Sequence, residues 1–422
     1  MDIPTKSARA NPERAYYDVF ERGAIDAAFL WNLRSIAVDQ PHYTSADLAA
    51  LEQRLDAQLD LIMSSHELGW QACEAALELQ QPGETFTAAV IALRSHDVGK
   101  IQTAIQSGLV GKQSVKGLIS ALGWLPAEIA QPWAKRLLSG KDMQHKLLGM
   151  AACSVRRDDP GEILNDILKR DDCRLHLQLH ARALRLVGEL RRQDLMPALQ
   201  MNISSKDQNL AFWANWSAIL LGQNVLIKNL RPFVLSPGPH QARAIQLAFR
   251  VLPVEPGREW ISALAKDPAN LRAVITATGV LGDPHAVNWL ISRMTDPQLA
   301  RLAAEALTLI TGIDLEKHKL TSSQPADQTT IPNDDAADHY VGLDDDENLF
   351  WPDVDKIASL WRQHGQHFLV GRRYFLGKAI TPDWLKNRLQ ESPQRQRHAA
   401  ALELALIDSQ SRLINTRART MP

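Results

Sequence analysis

The chain has 422 residues, 45% hydrophobic and 23% charged, and a formal net charge of −1. A single core stops growing at roughly 250 to 300 residues, so several domains or an open repeat array is expected, and the ordinary composition excludes a disordered chain. No run approaches the ~18 apolar residues of a membrane span, and the charged first residues lack the apolar stretch of a secretory signal, so a cytoplasmic protein without membrane contact is expected.

The first predicted elements are helical. Ala28 to Arg34, then Pro41-His42-Tyr43, then Leu48 to Leu61 read as two helices and a connecting turn, forming an N-terminal cap over 1–83. At 95–100 the run Ser-His-Asp-Val-Gly-Lys resembles the His-Asp core of HD phosphohydrolases, and His66 lies 30 residues before His96, where another metal ligand would fall. That chemistry needs several His and Asp side chains converging on one or two metals. The run coincides with the end of a repeat's first helix, so it is read as a turn, with no metal.

The repeats are clearest at Asp267-Pro268-Ala269-Asn270-Leu271-Arg272, which aligns with Asp296-Pro297-Gln298-Leu299-Ala300-Arg301 at an offset of 29 residues. Each opens with Asp, a side chain suited to accept a free helix-start N–H, and Pro, which needs no hydrogen bond at the first helical position. Val280-Leu281-Gly282 closes one helix and Asp283-Pro284 opens its partner, so the unit is a helix pair. Weaker copies begin near Glu84, Ser114, Asp142, Asp171, Lys206 and Pro237, giving eight copies over 84–312. Gly123, Gly188, Gly222, Gly282 and Gly312 are expected to supply the left-handed turn after each first helix. The predicted fold is therefore all-α: an α-solenoid of stacked helix pairs over 84–319, with helical caps and an extended concave surface.

Within the repeats, His176 and His180 share a helix face, as two metal ligands would, but no third ligand is near and the pair is read as packed or solvated. Cys73, Cys153 and Cys173 lack CxxC spacing and are read as small buried hydrophobes. Trp213, Trp216 and Trp289 fall at helical spacing and are read as core. Trp31, Trp351 and Trp361 lie outside the repeats and are better candidates for interface anchors. No phosphate-binding glycine loop and no Gly-x-Ser-x-Gly elbow occurs, so neither an enzyme, a cofactor nor a small-molecule substrate is expected.

Charge becomes uneven after the repeats. Residues 1–319 carry 35 basic and 34 acidic side chains, 320–355 carry none and 10, and 356–422 carry 12 and 4. The connector 320–355 reads as a long acidic loop in which Asp334, Asp335, Asp338, Asp344, Asp345, Asp346 and Glu347 crowd together without a cation. The basic region 356–422 begins with a helix from Trp351-Pro352-Asp353 to about His364, continues with a hairpin-like excursion over Gly371 to Gly377 containing Arg372 and Arg373, and ends in helices from Pro382 and Pro393. The acidic loop has two candidate counterparts: a partner protein, favoured here because the loop is longer than closing an array requires, or the chain's own basic tail.

Residues 84–312 resemble HEAT-type repeats. The stretches Phe29 to Arg34, Gly123 to Pro126, Gly282 to Pro284, Asn333 to Asp335, Trp351 to Asp353, Arg373 to Gly377 and Gln394 to Arg397 resemble a family of Gram-negative bacterial HEAT-like proteins often encoded beside type VI secretion components and their toxic effectors. The resemblance implies an immunity protein or a loading accessory whose partner is a secreted toxin or a secretion component. If the toxin is a nuclease, the acidic connector could occupy its phosphate-binding surface. Two other classes compete: a nucleic-acid-binding or DNA-repair solenoid, which needs a basic concave face from a body that is neutral apart from Arg182, Arg185, Arg191 and Arg192, and a structural scaffold. The preferred binding residues are Asp334, Asp335, Asp338, Asp344, Asp345, Asp346, Glu347, Trp31, Trp351, Arg372 and Arg373.

Overall fold

The computed structural model describes residues 12–324, 344, 346–408 and 412–420. It is 72% helical and 2% strand, with 22 α-helices among the described residues. No described helix is long and apolar enough to cross a membrane. The helices gather into two compact units. One comprises Met1–Asp39, Tyr43–Leu190 and Asn415–Pro422, and the other Gln40–His42 and Arg191–Ile414.

The first unit contains α1 (Pro12–Ala37), α2 (Ser45–Met63), α3 (His66–Ala76), α4 (Pro82–Ser95), α5 (Val98–Val110), α6 (Ser114–Trp124), α7 (Ala127–Ser139), α8 (Met143–Arg156), α9 (Glu162–Lys169), α10 (Asp171–Leu175) and α11 (Leu177–Leu190). Side-chain caps set the starts of α2, α5 and α8. Thr44 and Asp47 form a reciprocal capping box on α2, while Asp97 and Asp142 accept the first free N–H groups of α5 and α8. The first helix of each pair packs on the next, α1 on α4, α4 on α6, α6 on α8 and α8 on α11. These helices are buried nearly all round, as α4 is from Thr85 to Leu93. Gly117 permits the α4–α6 approach, because a Cβ there would lie 2.2 Å from the Pro82 carbonyl oxygen. Phe86 is the aromatic centre, stacked on Trp31 at 5.4 Å and edge-on to Trp124 at 5.6 Å.

The second unit contains α12 (Met196–Gln200), α13 (Gln208–Leu220), α14 (Arg231–Leu235), α15 (Gln241–Val251), α16 (Val254–Leu264), α17 (Leu271–Leu281), α18 (Val287–Arg293) and α19 (Ala300–Thr311). After the connector come α20 (Val354–His364), strands β1 (Tyr374–Phe375) and β2 (Lys378–Ala379), α21 (Pro382–Glu391) and α22 (Gln394–Ile407). The strands are antiparallel, Tyr374 facing Ala379 and Phe375 facing Lys378. α15 packs on α17 and α17 on α19. The expected Asp-Pro helix starts are present in altered form. Asp267 and Asp283 each accept the N–H two residues on, which tightens Pro268–Asn270 and Pro284–Ala286 into 3₁₀ turns before the α-helices begin.

The inter-helix turns differ from the sequence expectation at two positions. Gly222, Gly282 and Gly312 take positive φ as expected, but Gly123 and Gly188 lie inside α6 and α11. Left-handed backbone after α4 and α8 and just beyond α11 falls instead on His96, Arg157 and Arg191. The eighty-fourth-residue copy and its successors start within a few residues of the expected positions, except that Asp171 opens only the short α10. His176 then caps a new helix, its Nδ1 accepting the Leu179 N–H at 3.2 Å.

Candidate partner-binding site

The ends of the connector are zipped together. Ser322 N–H donates to the Trp351 carbonyl at 2.8 Å and Asp353 N–H to the Leu320 carbonyl at 2.7 Å. Asp334, Asp335, Asp338 and Asp345 lie outside the described residues. Asp344 and Asp346 are answered by the chain itself, through neither of the two counterparts expected. Arg301 donates to the Asp344 carboxylate at 2.6 Å and to the Asp346 carbonyl at 2.9 Å, and Arg272 donates to the Asp346 carboxylate at 2.8 Å. Both arginines belong to the repeats. The Asp346 side chain is 6% exposed and that of Asp344 51%. Burial pushes the Asp344 carboxyl upward, but the Arg301 hydrogen bond, the Asp346 N–H and both guanidinium charges outweigh it and hold it below its ordinary range. Trp351 lies under the Arg301 guanidinium, 4.5 Å from ring centroid to Cζ, and Glu347 is exposed. Deeper on α19, burial raises the Glu305 carboxyl against the opposing pull of Arg395, which pairs with it at 3.1 Å.

The excursion after α20 caps helix ends. Tyr374 N–H donates to the Gly282 carbonyl, Leu376 to Leu309 and Gly377 to Ile310, at 2.7 to 3.0 Å. These are carbonyls that a helix C-terminus leaves without an internal partner. Gly282 is required twice over: its φ is +74°, and a Cβ would lie 2.3 Å from the Tyr374 oxygen. Arg373 turns inward, donating to the Leu281 carbonyl at 3.1 Å, the Arg250 carbonyl at 2.6 Å and Glu403 at 3.0 Å. Burial lowers the Arg250 guanidinium to about 10, with Glu403 opposing and Arg373 adding to the shift. Arg372 is exposed beside Leu369 and Val370, which are 61% and 62% exposed on a turn fixed by Gly371 N–H to Asp283 at 3.0 Å and Leu369 N–H to the Tyr374 hydroxyl at 3.1 Å.

The remaining sequence candidates are mostly used internally. Trp31 is buried and donates to Ser120 at 2.8 Å, and Trp361 belongs to the core around α18 and α19. Cys73, Cys153 and Cys173 are buried thiols, and Trp213 and Trp216 are buried as expected. Asp97 is spent on the Gly99 and Lys100 N–H groups at 2.8 and 3.0 Å, and the His66 carbonyl accepts from the Lys100 ammonium at 3.1 Å. Among the described residues no group of three or more His, Cys, Asp or Glu side chains is placed to hold a metal. Arg185 pairs with buried Glu189 at 2.8 Å, Arg192 pairs with Asp194 at 2.7 Å, and Arg191 donates to the Ala405 carbonyl. Burial pushes Glu189 upward, yet Arg185, Arg157 and the Ser154 hydroxyl together hold it below its ordinary range.

A further cluster, on which sequence reasoning placed nothing, lies in the first unit. Glu52 and Asp56 stand one turn apart on α2, and residues 415–420 lie against them. Glu52 accepts from Arg34 at 2.8 Å through one oxygen and from the Thr420 N–H at 2.8 Å through the other, while Asp56 pairs with Arg419 and accepts from the Trp124 indole N–H at 3.2 Å. Burial raises the Asp56 carboxyl, and Arg419 opposes that rise. The only sequence signal was the i, i+4 acidic pair, which is common on solvated helix faces. No family model, no curated protein and no solved structure matches this chain.

Proposed function

We propose that this chain is a non-catalytic, protein-binding solenoid of HEAT-like helix pairs. In this reading it is a cytoplasmic immunity or effector-associated accessory protein of a type VI secretion locus, sequestering a toxin. The observation that carries the binding role is the neighbour-on-neighbour packing of first helices within each unit, α4 to α11 and α15 to α19, the arrangement by which repeat proteins build extended recognition surfaces. The secretion-locus assignment rests on the sequence resemblance alone. The spending of Asp97, Glu189, Arg185 and Arg192 on caps and internal pairs favours binding over turnover or nucleic-acid contact. The contact surface in this reading includes Glu347, Arg372 and the exposed Leu369–Val370 turn.

The test is co-expression with each toxin encoded beside the gene. Growth rescue and a stoichiometric complex in size-exclusion chromatography with light scattering are expected. No rescue, together with retention of duplex DNA at physiological salt in a gel shift, would move the assignment to nucleic-acid binding.

A further inference from the structure

Within the first unit, residues 415–420 lie in a pocket lined by Glu52, Asp56 and Trp124. Trp124 is flanked by two guanidinium groups, Arg34 at 5.6 Å and Arg419 at 4.7 Å from its ring centroid. Arg34 is internal and satisfies one oxygen of Glu52, whose side chain is 1% exposed. The second Glu52 oxygen takes the Thr420 N–H at 2.8 Å and the Thr420 hydroxyl at 2.5 Å. Asp56 takes Arg419. Arg34 also donates to the Arg417 carbonyl at 3.0 Å, Arg417 pairs with Asp39, and Asn415 donates to the Val155 carbonyl at 2.7 Å.

Count the charges in that pocket without residues 415–420. Glu52 then keeps Arg34, but Asp56 loses its paired guanidinium and keeps only the pull of Arg94, which is itself hydrogen-bonded to Asp60 at 2.6 Å, so a guanidinium is the group that best refills the place beside the Trp124 face. Residues 415–420 form neither helix nor strand: Asn415 to Ala418 make a turn closed by the Ala418 N–H on the Asn415 carbonyl at 3.0 Å, and the segment is held through its side chains, the Arg417 carbonyl and the Thr420 N–H. Its outer pair, Arg417 with Asp39, is about half exposed on both sides. A segment of the same chemistry from elsewhere can therefore take its place without any refolding of the helices.

We infer that the Trp124–Asp56–Glu52 pocket is a recognition site for a non-helical, arginine-bearing segment of a partner protein, of the form Arg-x-Arg-Thr, and that residues 417–420 are its occupant in cis until that partner competes. The arginine stacks on Trp124 and pairs with Asp56, the following residue's N–H and hydroxyl meet Glu52, and the preceding arginine reaches Asp39. This rests on the reading of the chain as a protein binder. The test separates the two, because it uses a synthetic peptide and no natural partner.

The probe is a fluorescent peptide with the sequence of Ile414 to Thr420, titrated into the full chain and into the full chain carrying Arg419→Ala, with helicity checked by circular dichroism. The variant should bind saturably and at least about tenfold more tightly than the unaltered chain, where the cis segment competes, and adding Asp56→Asn should cost about tenfold again. A peptide with alanine in place of its second arginine should lose the binding. Should Arg419→Ala lose helicity, Arg419→Gln takes its place. Equal affinity for both chains, or no saturable binding to either folded variant, overturns the inference. So does a full chain that is dimeric and becomes monomeric with Arg419→Ala, which would assign the pocket to a second copy.

Discussion

Arg272 and Arg301 occupy equivalent positions in consecutive repeats and close on the two ends of one residue, Arg272 on the Asp346 carboxylate at 2.8 Å and Arg301 on its carbonyl at 2.9 Å. The 29-residue offset that aligns them in the sequence places them side by side on α17 and α19, which pack together. A repeat thus becomes a two-pronged clamp, with Trp351 stacked beneath one prong.

The two aspartates should respond differently. Asp346→Asn removes a nearly buried charge from its pair and should cost about 1–3 kcal/mol in urea unfolding. Asp344→Asn, half exposed and screened, should cost under about 1 kcal/mol. The reverse order would mean that the turn is held by something other than these arginines.

Arg373→Met strands the buried Glu403 with Arg250 alone and leaves two helix-end carbonyls unmet, so a loss of about 3–5 kcal/mol is expected. Arg373→Lys keeps the charge but cannot reach three acceptors in one plane, and should fall between. Chemical denaturation of the full chain followed by tryptophan fluorescence measures both, and a change below ~0.5 kcal/mol for the methionine variant would remove Arg373 from the clamp.

His96 and Asp97 should behave as a turn. His96 has φ +58°, so His96→Gly should be neutral or stabilising by up to about 1 kcal/mol, whereas Asp97→Ala should cost about 0.5–2 kcal/mol as a lost cap. Metal analysis of the purified chain belongs in the same experiment. Stoichiometric metal that disappears in both variants would return the segment to phosphohydrolase chemistry.

His240 sets a pH dependence. Its ring stacks on Phe212 at 4.2 Å, and burial, with Arg243 adding and Asp207 opposing, lowers its pKa below the ordinary 6.5. The unfolded chain therefore takes up a proton near pH 6.5 while the folded chain does not. The stability of the second unit should be full above that pH and fall as the pH drops through it, levelling off below the folded pKa. His240→Phe should flatten this slope in thermal melts between pH 5 and 7.5; an unchanged slope would assign it to another group.

How much of this was legible in the sequence depends on the range of the interaction. Helix starts were legible because Asp97, Asp142, Asp207, Asp267 and Asp353 act on N–H groups two or three residues away. Gly123 and Gly188 misled because a glycine near a helix end can serve close packing instead of a left-handed turn, and Gly123 faces Val155. The zipped connector ends, the Arg373 clamp and the Arg419 pocket were illegible for a common reason. Each joins residues 29 to more than 300 positions apart, the connector ends through two backbone hydrogen bonds and the other two through one or two polar side chains, and no local pattern encodes such a pairing.

Residues 415–420 complete the packing of a unit whose other members all precede residue 191. On the ribosome, the stretch from Arg191 to Ile414 must be made before they emerge, which at roughly 5–20 residues per second takes about 11 to 45 seconds. Throughout that interval Asp56 lacks Arg419 and Glu52 lacks the Thr420 donors. The early-made helices therefore reach their final packing only after a segment more than 220 residues later has been made: until Arg419 arrives, the Asp56 carboxylate and the Trp124 face stand without the guanidinium that covers both.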